Sequence, residues 1–191
     1  MPRQLLMVHR APAAVPAPQP PEDVVLTTYR PGDEADWVKL VLTGQLGDQW
    51  TAELARQDLT GRELFQPEGF FIARDCATGR PLATACAFAQ CAFDRDWPGL
   101  HMVAVHPAER GRGLGRMVCQ AVLHYWGQRV PAPIILTTDD WRLPATATYG
   151  KLGWQAIRFR EDGEDHLSRW TTVWNLLSAP PEWRLFAPPI V

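Results

Sequence analysis

Residues 100–117 constrain the fold more than any other stretch of the chain. An apolar run, Met102-Val103-Ala104-Val105, stops at His106-Pro107, and a basic turn follows (Arg110, Gly111, Arg112, Gly113, Leu114, Gly115, Arg116) before a helical pattern begins. A strand feeding a helix through a glycine-dense turn belongs to a mixed α/β domain. Glycines let the backbone reach conformations closed to other residues, so several N–H groups converge on one anion. The helix start adds orphan N–H donors and the positive end of its dipole. Arginines supply planar donors that are always charged. The chemistry this combination serves is phosphate binding.

Spacing narrows the ligand. A dinucleotide fingerprint needs Gly-x-Gly-x-x-Gly, whereas the glycines here run Gly111-x-Gly113-x-Gly115. A nucleoside-triphosphate loop needs Gly-Lys-Ser/Thr, whereas Gly115 is followed by Arg116 and Met117. The pattern Arg-x-x-Gly-x-Gly is met by Arg110, Gly113 and Gly115, after the Val-x-Pro strand end at Val105 and Pro107. It resembles the pyrophosphate-binding motif of the GCN5-related N-acetyltransferases (GNAT). Downstream, Ala145, Tyr149, Leu152, Gly153 and Trp154 resemble the second signature of that family, with Trp154 where phenylalanine is usual. The resemblance extends over residues 24–175 as element order and is specific over 98–155.

The element reading is coarse but ordered. Val24 to Tyr29 reads as a strand, and helices follow near Asp33 (Ala35, Val38, Leu42) and over Thr51 to Leu59. Phe70 to Arg74 and Leu82 to Phe88 read as a hairpin around Ala77-Thr78-Gly79-Arg80. Leu100 to Val105 is the fourth strand, and Gly113 to Gly127 its helix. Ile134 to Thr138, a helix at Ala145, and strands at Ala156 to Arg160 and Thr171 to Leu176 complete the set, the last two expected to pair. The resemblance implies a mixed, mostly antiparallel sheet with splayed fourth and fifth strands and flanking helices.

It also implies acetyl-CoA as co-substrate and no metal. Pantetheine is expected along the backbone of Met102, Val103, Ala104 and Val105, and the diphosphate on Arg110, Gly111, Arg112, Gly113, Leu114, Gly115 and Arg116. Tyr149 stands where many members carry a tyrosine near the coenzyme sulfur, fit to protonate a leaving thiolate. Leu100-His101-x-x-Ala104-Val105-His106 resembles the fourth strand of arylalkylamine N-acetyltransferases, which makes His101 the candidate base. The glutamate many members carry on that strand is absent, and Glu63 and Glu68 are weaker alternatives. Arg142 replaces an asparagine common seven residues before the tyrosine, and an arginine there can grip a phosphate or an acidic acceptor. Trp50, Trp97 and Trp141 flank loops where an aromatic wall would favour an apolar or aromatic amine. His106 reads as orienting the turn, and His124 as a helix-face residue.

Composition bounds the rest. A chain of 191 residues suits one domain, and a net charge of −2 points away from nucleic acid and from an anionic membrane. No apolar run is long enough to span a bilayer or to form a secretory leader, so a cytoplasmic enzyme is expected. Cys76, Cys86, Cys91 and Cys119 show no metal-ligand spacing and read as buried free thiols. Residues 1–23, rich in proline and alanine, read as an extended tail ahead of a domain over 24–191, dispensable for folding or docked on a partner chain. The tryptophans near the C-terminus read as core or dimer packing, which leaves a homodimer open. The expected activity is acetyl transfer to a small-molecule primary amine. The alternatives are a peptide α-amine, the precursor of a thiol conjugate, or an acyl-CoA-binding sensor without turnover.

Overall fold

The computed structural model describes residues 4–44, 46–92, 95–130, 133–161 and 164–188, with side chains at 90–92, 95, 96, 161 and 164 outside the description. Seven strands make the main sheet: β1 (Leu5–His9), β2 (Val24–Thr28), β3 (Phe65–Asp75), β4 (Pro81–Ala92), β5 (Arg95–Val105), β6 (Ile134–Thr138) and β7 (Gln155–Ile157). Their spatial order is β2-β3-β4-β5-β6-β1-β7, antiparallel except where β5 runs parallel to β6. This is the mixed sheet expected.

Period-two alternation divides the core between two faces. Ala83, Ala85 and Ala87 of β4 pack beneath α3 (Leu114–Gly127), with Leu100 of β5. Cys86 and Phe88, with Met102 and Ala104, face the opposite way toward Trp37, Val38 and Val41 of α1 (Glu34–Thr43). Ala55 of α2 (Ala52–Ala55) and Leu59, in the wider turn Arg56–Thr60 that continues it, join the same cluster. α4 (Leu143–Lys151) and α5 (Leu167–Leu176) bury Tyr149, Trp170, Val173 and Trp174 in the core that α3 shares. The short strands β8 (Arg160–Glu161) and β9 (Glu164–Asp165) pair apart from the main sheet.

Two expectations are corrected. The proline-rich start is not wholly a tail, because Leu5–His9 is a central strand buried at every position. An unbroken apolar run of this kind suits a strand covered on both faces, since each residue meets a hydrophobic layer. The strand pairs with β6 from Leu5↔Thr138 to His9↔Ile134, and with β7 through Met7↔Ala156. It therefore fills the place expected of the chain's last strand. That segment, Thr171 to Leu176, is helical instead. Trp170, Val173 and Trp174 recur at helical spacing and are buried. The β-branched Thr171 and Thr172 point outward and return their hydroxyls to the carbonyls of Leu167 and Ser168 at 2.8 and 3.1 Å.

Between β1 and β2 the chain runs along the outside of α3. Pro12–Ala14 forms one tight turn, the His124 imidazole meets the Val15 carbonyl at 3.0 Å, and the Gln120 amide donates to the Pro16 carbonyl at 3.1 Å. The approach is closest at Gly127, where a Cβ would stand 2.4 Å from the Pro12 carbonyl oxygen.

Candidate functional site

The site begins where the sheet opens. β5 and β6 share one parallel pairing, Gly99↔Ile135, fixed by a 2.9 Å bond from the Trp126 indole N–H to the Gly99 carbonyl. Beyond Gly99 no pairing among the described residues joins the two strands, so Met102, Val103, Ala104 and Val105 lie along an opened edge. On its other side β5 carries a bulge. Its register against β4 slips between Ala104↔Thr84 and His101↔Cys86, and Met102 adopts φ +53° there. A methionine held in the left-handed region stores strain of about 1–3 kcal/mol, offset by its burial between β4 and α1.

The basic turn lies at the end of this edge. Gly111 and Gly113 have φ of +84° and +80°, values that favour glycine, and open space surrounds both. Gly113 precedes the first residue of α3 and offers no side-chain cap, so the first N–H groups of the fourteen-residue helix lack the usual partner. Gly115 packs against Val105, where a Cβ would stand 3.2 Å from a methyl carbon. The three arginines differ. Arg112 is ion-paired with Glu109 and Asp23, and Glu109 also holds Arg80 at 2.6 Å, so Arg112 braces the turn. The guanidinium groups of Arg110 and Arg116 have no carboxylate or carbonyl partner among the described residues. The His106 imidazole accepts from the Ala108 N–H at 3.3 Å and orients the turn. A cavity of about 400 Å³ opens beside it, lined by Arg112, Arg116, Leu114 and Gln120 and, from the N-terminal segment, by Pro16 and Gln19.

Tyr149 lies on α4 with its ring buried 6.2 Å from that of Trp154, and its hydroxyl bonds to no described residue. Burial, then the neighbouring Cys119 thiol, pushes the phenol well above its ordinary range, while Arg142 pulls the other way. Arg142 itself is committed: it donates to Asp139 at 2.9 Å and stacks over Trp141 at 4.3 Å. Cys119 and Cys86 are buried, and burial raises both thiols far above the usual value, so each stays protonated. Cys76 is exposed, contrary to expectation, and the Cys91 side chain lies outside the described residues.

His101 sits on β5 beside the bulge, its ring 5.6 Å from that of Phe88. Desolvation, and then the charge of Arg62, lowers its pKa to about 4, so the imidazole is neutral at ordinary pH. Glu68 pairs with Arg129 at 3.1 Å on the surface, and Glu63 is exposed. Of the three tryptophans, Trp50 packs edge-on against Trp37 at 5.1 Å and belongs to the core, whereas Trp141 is 63% exposed. Trp97 is half-buried on β5. Arg62, Phe88 and the N-terminal wall of the cavity were not signalled in the sequence, because no spacing pattern links them.

Residues 36–154 match the model of the acetyltransferase (GNAT) family. The chain belongs to this family. Among curated relatives, mycothiol acetyltransferase of Catenulispora acidiphila is 32% identical over 157 residues, 79% of this chain and 50% of that protein. The enzyme of the same name from Thermobifida fusca is 31% identical over 151 residues, 72% of this chain and 46% of its own. The chain thus spans about half the length of the curated relatives it matches. Among solved structures, a GCN5-related N-acetyltransferase from Sphaerobacter thermophilus superposes with a TM-score of 0.64 at 22% identity, over 81% of this chain and 49% of that one. A chain of the NatC complex bound to Gag peptide and CoA gives 0.57 at 20% identity, over 72% and 87%. At these identities the likeness is one of fold.

Proposed function

We propose that the chain transfers an acetyl group from acetyl-CoA to the amine of a small molecule. The observation that carries this reading is the junction of an opened β5–β6 edge with an uncapped helix start flanked by two arginines that have no carboxylate or carbonyl partner among the described residues. Such an edge offers main-chain groups to an extended amide chain such as pantetheine, as a sheet edge does to a strand. The helix start and Arg110 and Arg116 suit a diphosphate. Arg112, tied to Glu109 and Asp23, holds the turn in shape rather than gripping the anion. Arg142, tied to Asp139, positions the start of α4.

In this reading the thioester carbonyl sits against the β5 main chain, whose N–H groups stabilise the oxyanion as the amine attacks. His101, neutral but made a weak base by its lowered pKa, takes one ammonium proton directly or through water, so that only a small fraction of the bound amine is free base at a time. The carbon–sulfur bond breaks, the thiolate takes a proton from Tyr149, and the phenol is restored by the second proton that the nitrogen sheds as the amide forms. The phenol's raised pKa keeps that proton loaded but makes it a weaker acid, and Arg142, which pulls the other way, eases the charge that develops when the proton leaves. The products are the N-acetyl amide and coenzyme A. The names of the curated relatives favour, within this class, an amine that is a precursor of a thiol conjugate.

Thiol release from acetyl-CoA across a library of primary amines tests the reading, with expected turnover on at least one small amine. Tight acetyl-CoA binding with no turnover on any amine or peptide α-amine would leave an acyl-CoA sensor as the function.

A further inference from the structure

The described arginines fall into two groups. Most guanidinium groups are committed to carboxylates or carbonyls, among them Arg74 to Asp33, Arg129 to Glu68 and Arg169 to Asp140. Arg30, Arg62, Arg110 and Arg116 have neither partner among the described residues. Two of these four stand at the turn that suits a diphosphate. Arg62 stands elsewhere, over the ring of Phe88 that also faces His101, the candidate base.

Its placement is fixed from the backbone outward. The wider turn that ends α2 closes with the Gly61 N–H on the Arg56 carbonyl at 2.7 Å. The Arg62 N–H donates to Leu59, which is fully buried, and the Arg62 carbonyl accepts from Phe65 at 2.9 Å. From this anchored base the guanidinium carbon stands 5.6 Å from the centroid of the Phe88 ring, and the same ring lies 5.6 Å from His101. One aromatic ring therefore touches both the cation and the candidate base.

A fixed cation here is unfavourable for an ordinary amine acceptor. The acceptor arrives as an ammonium ion, and Arg62 repels it just where it must surrender its proton to His101. A negative group on the acceptor removes the conflict, since it pairs with Arg62 and leaves the ammonium facing the imidazole. We propose that Arg62 selects acceptors that carry a carboxylate close to the reacting amine, as in an amino acid. This rests on the amine-acetylating reading and narrows its acceptor class. The planar fork of arginine matches the two carboxylate oxygens, a geometry a lysine meets only as a point charge.

The test compares α-amino acids with the amides and the decarboxylated amines of the same side chains, at saturating acetyl-CoA. Wild type is expected to favour the carboxylate members by at least about tenfold in kcat/KM, the scale of one charge-assisted pairing. Arg62→Gln should lower only those members, by about 10- to 100-fold and through KM, with Arg62→Lys recovering part of the loss. Arg62 is exposed, so both variants should fold, which their melting temperatures check. An equal effect of Arg62→Gln on charged and uncharged acceptors, or none on either, overturns the proposal. Turnover of peptide α-amines alone, or of no amine, overturns the small-amine reading itself and this narrowing with it.

Discussion

His101 is the residue whose chemistry depends most on its surroundings. A histidine in water loses its proton near pH 6.5, but desolvation and the Arg62 charge hold this one at about 4. If it is the base, kcat/KM should stay level from pH 7 down through 6 and fall only as pH approaches 4, and His101→Gln should erase that limb. Folding stability carries the same signature. With the folded pKa below the unfolded one, the unfolded chain takes the proton first. Stability is thus full above about 6.5, is lost as pH falls toward about 4, and declines no further below that on this account. His9, also held down by burial, acts in the same direction. Melting curves between pH 7 and 4 should show the loss, and those of His101→Gln a shallower one. Tyr149→Phe keeps the buried ring and removes the hydroxyl. If the phenol is the acid, kcat should fall by about 10²–10⁴-fold with acetyl-CoA affinity unchanged. Both residues were nominated by the sequence because each sits at a fixed step in a recognisable pattern. Arg62 was not, since a lone arginine after an irregular turn has no pattern, and its meaning comes only from Phe88 and His101 across the sheet.

At the scale of elements, the β5–turn–α3 unit was legible almost residue by residue, while the strand closing the sheet was not. Gly113→Glu tests the turn. Its side chain would enter open space, so folding should survive with a left-handed-backbone cost of about 1–2 kcal/mol. A carboxylate at the uncapped start of α3 should nevertheless abolish acetyl-CoA binding in calorimetry, and unchanged affinity in a folded variant would remove the diphosphate from this turn. Leu5-Leu6-Met7-Val8 is a plain apolar run, but prolines beyond it give the whole segment the composition of a tail, and local composition holds no information about distant partners. Thr171–Leu176 misled for the opposite reason: β-branched residues imitate a strand, while the buried tryptophans on either side of them impose the helical period. Leu5 is fully buried between β6 and β7, so Leu5→Ala should cost about 2–5 kcal/mol by chemical denaturation. That is a large part of the 5–15 kcal/mol total usual for a domain. Deleting residues 1–22 should therefore abolish cooperative melting rather than leave it unchanged.

Across the whole molecule, one strand crossing joins the sheet's closure to the turn. The chain leaves β1 beside β7, runs outside α3 through the contacts of Pro12, Val15 and Pro16, and returns at Asp23, which holds Arg112. The same crossing supplies one wall of the cavity beside that turn. A ligand seated there meets residues from the turn and from the segment that keeps β1 in the sheet, so its binding energy should be felt by both. At about one hundred times its dissociation constant, acetyl-CoA should add about 2.7 kcal/mol to the folding free energy. For a chain of this size that corresponds to a rise of about 5–10 °C in melting temperature. Hydrogen exchange then locates the gain. Protection should increase along β1 and in its pairing with β7 as well as at the start of α3. Protection confined to the turn would show that the crossing only covers α3 and takes no part in holding the coenzyme.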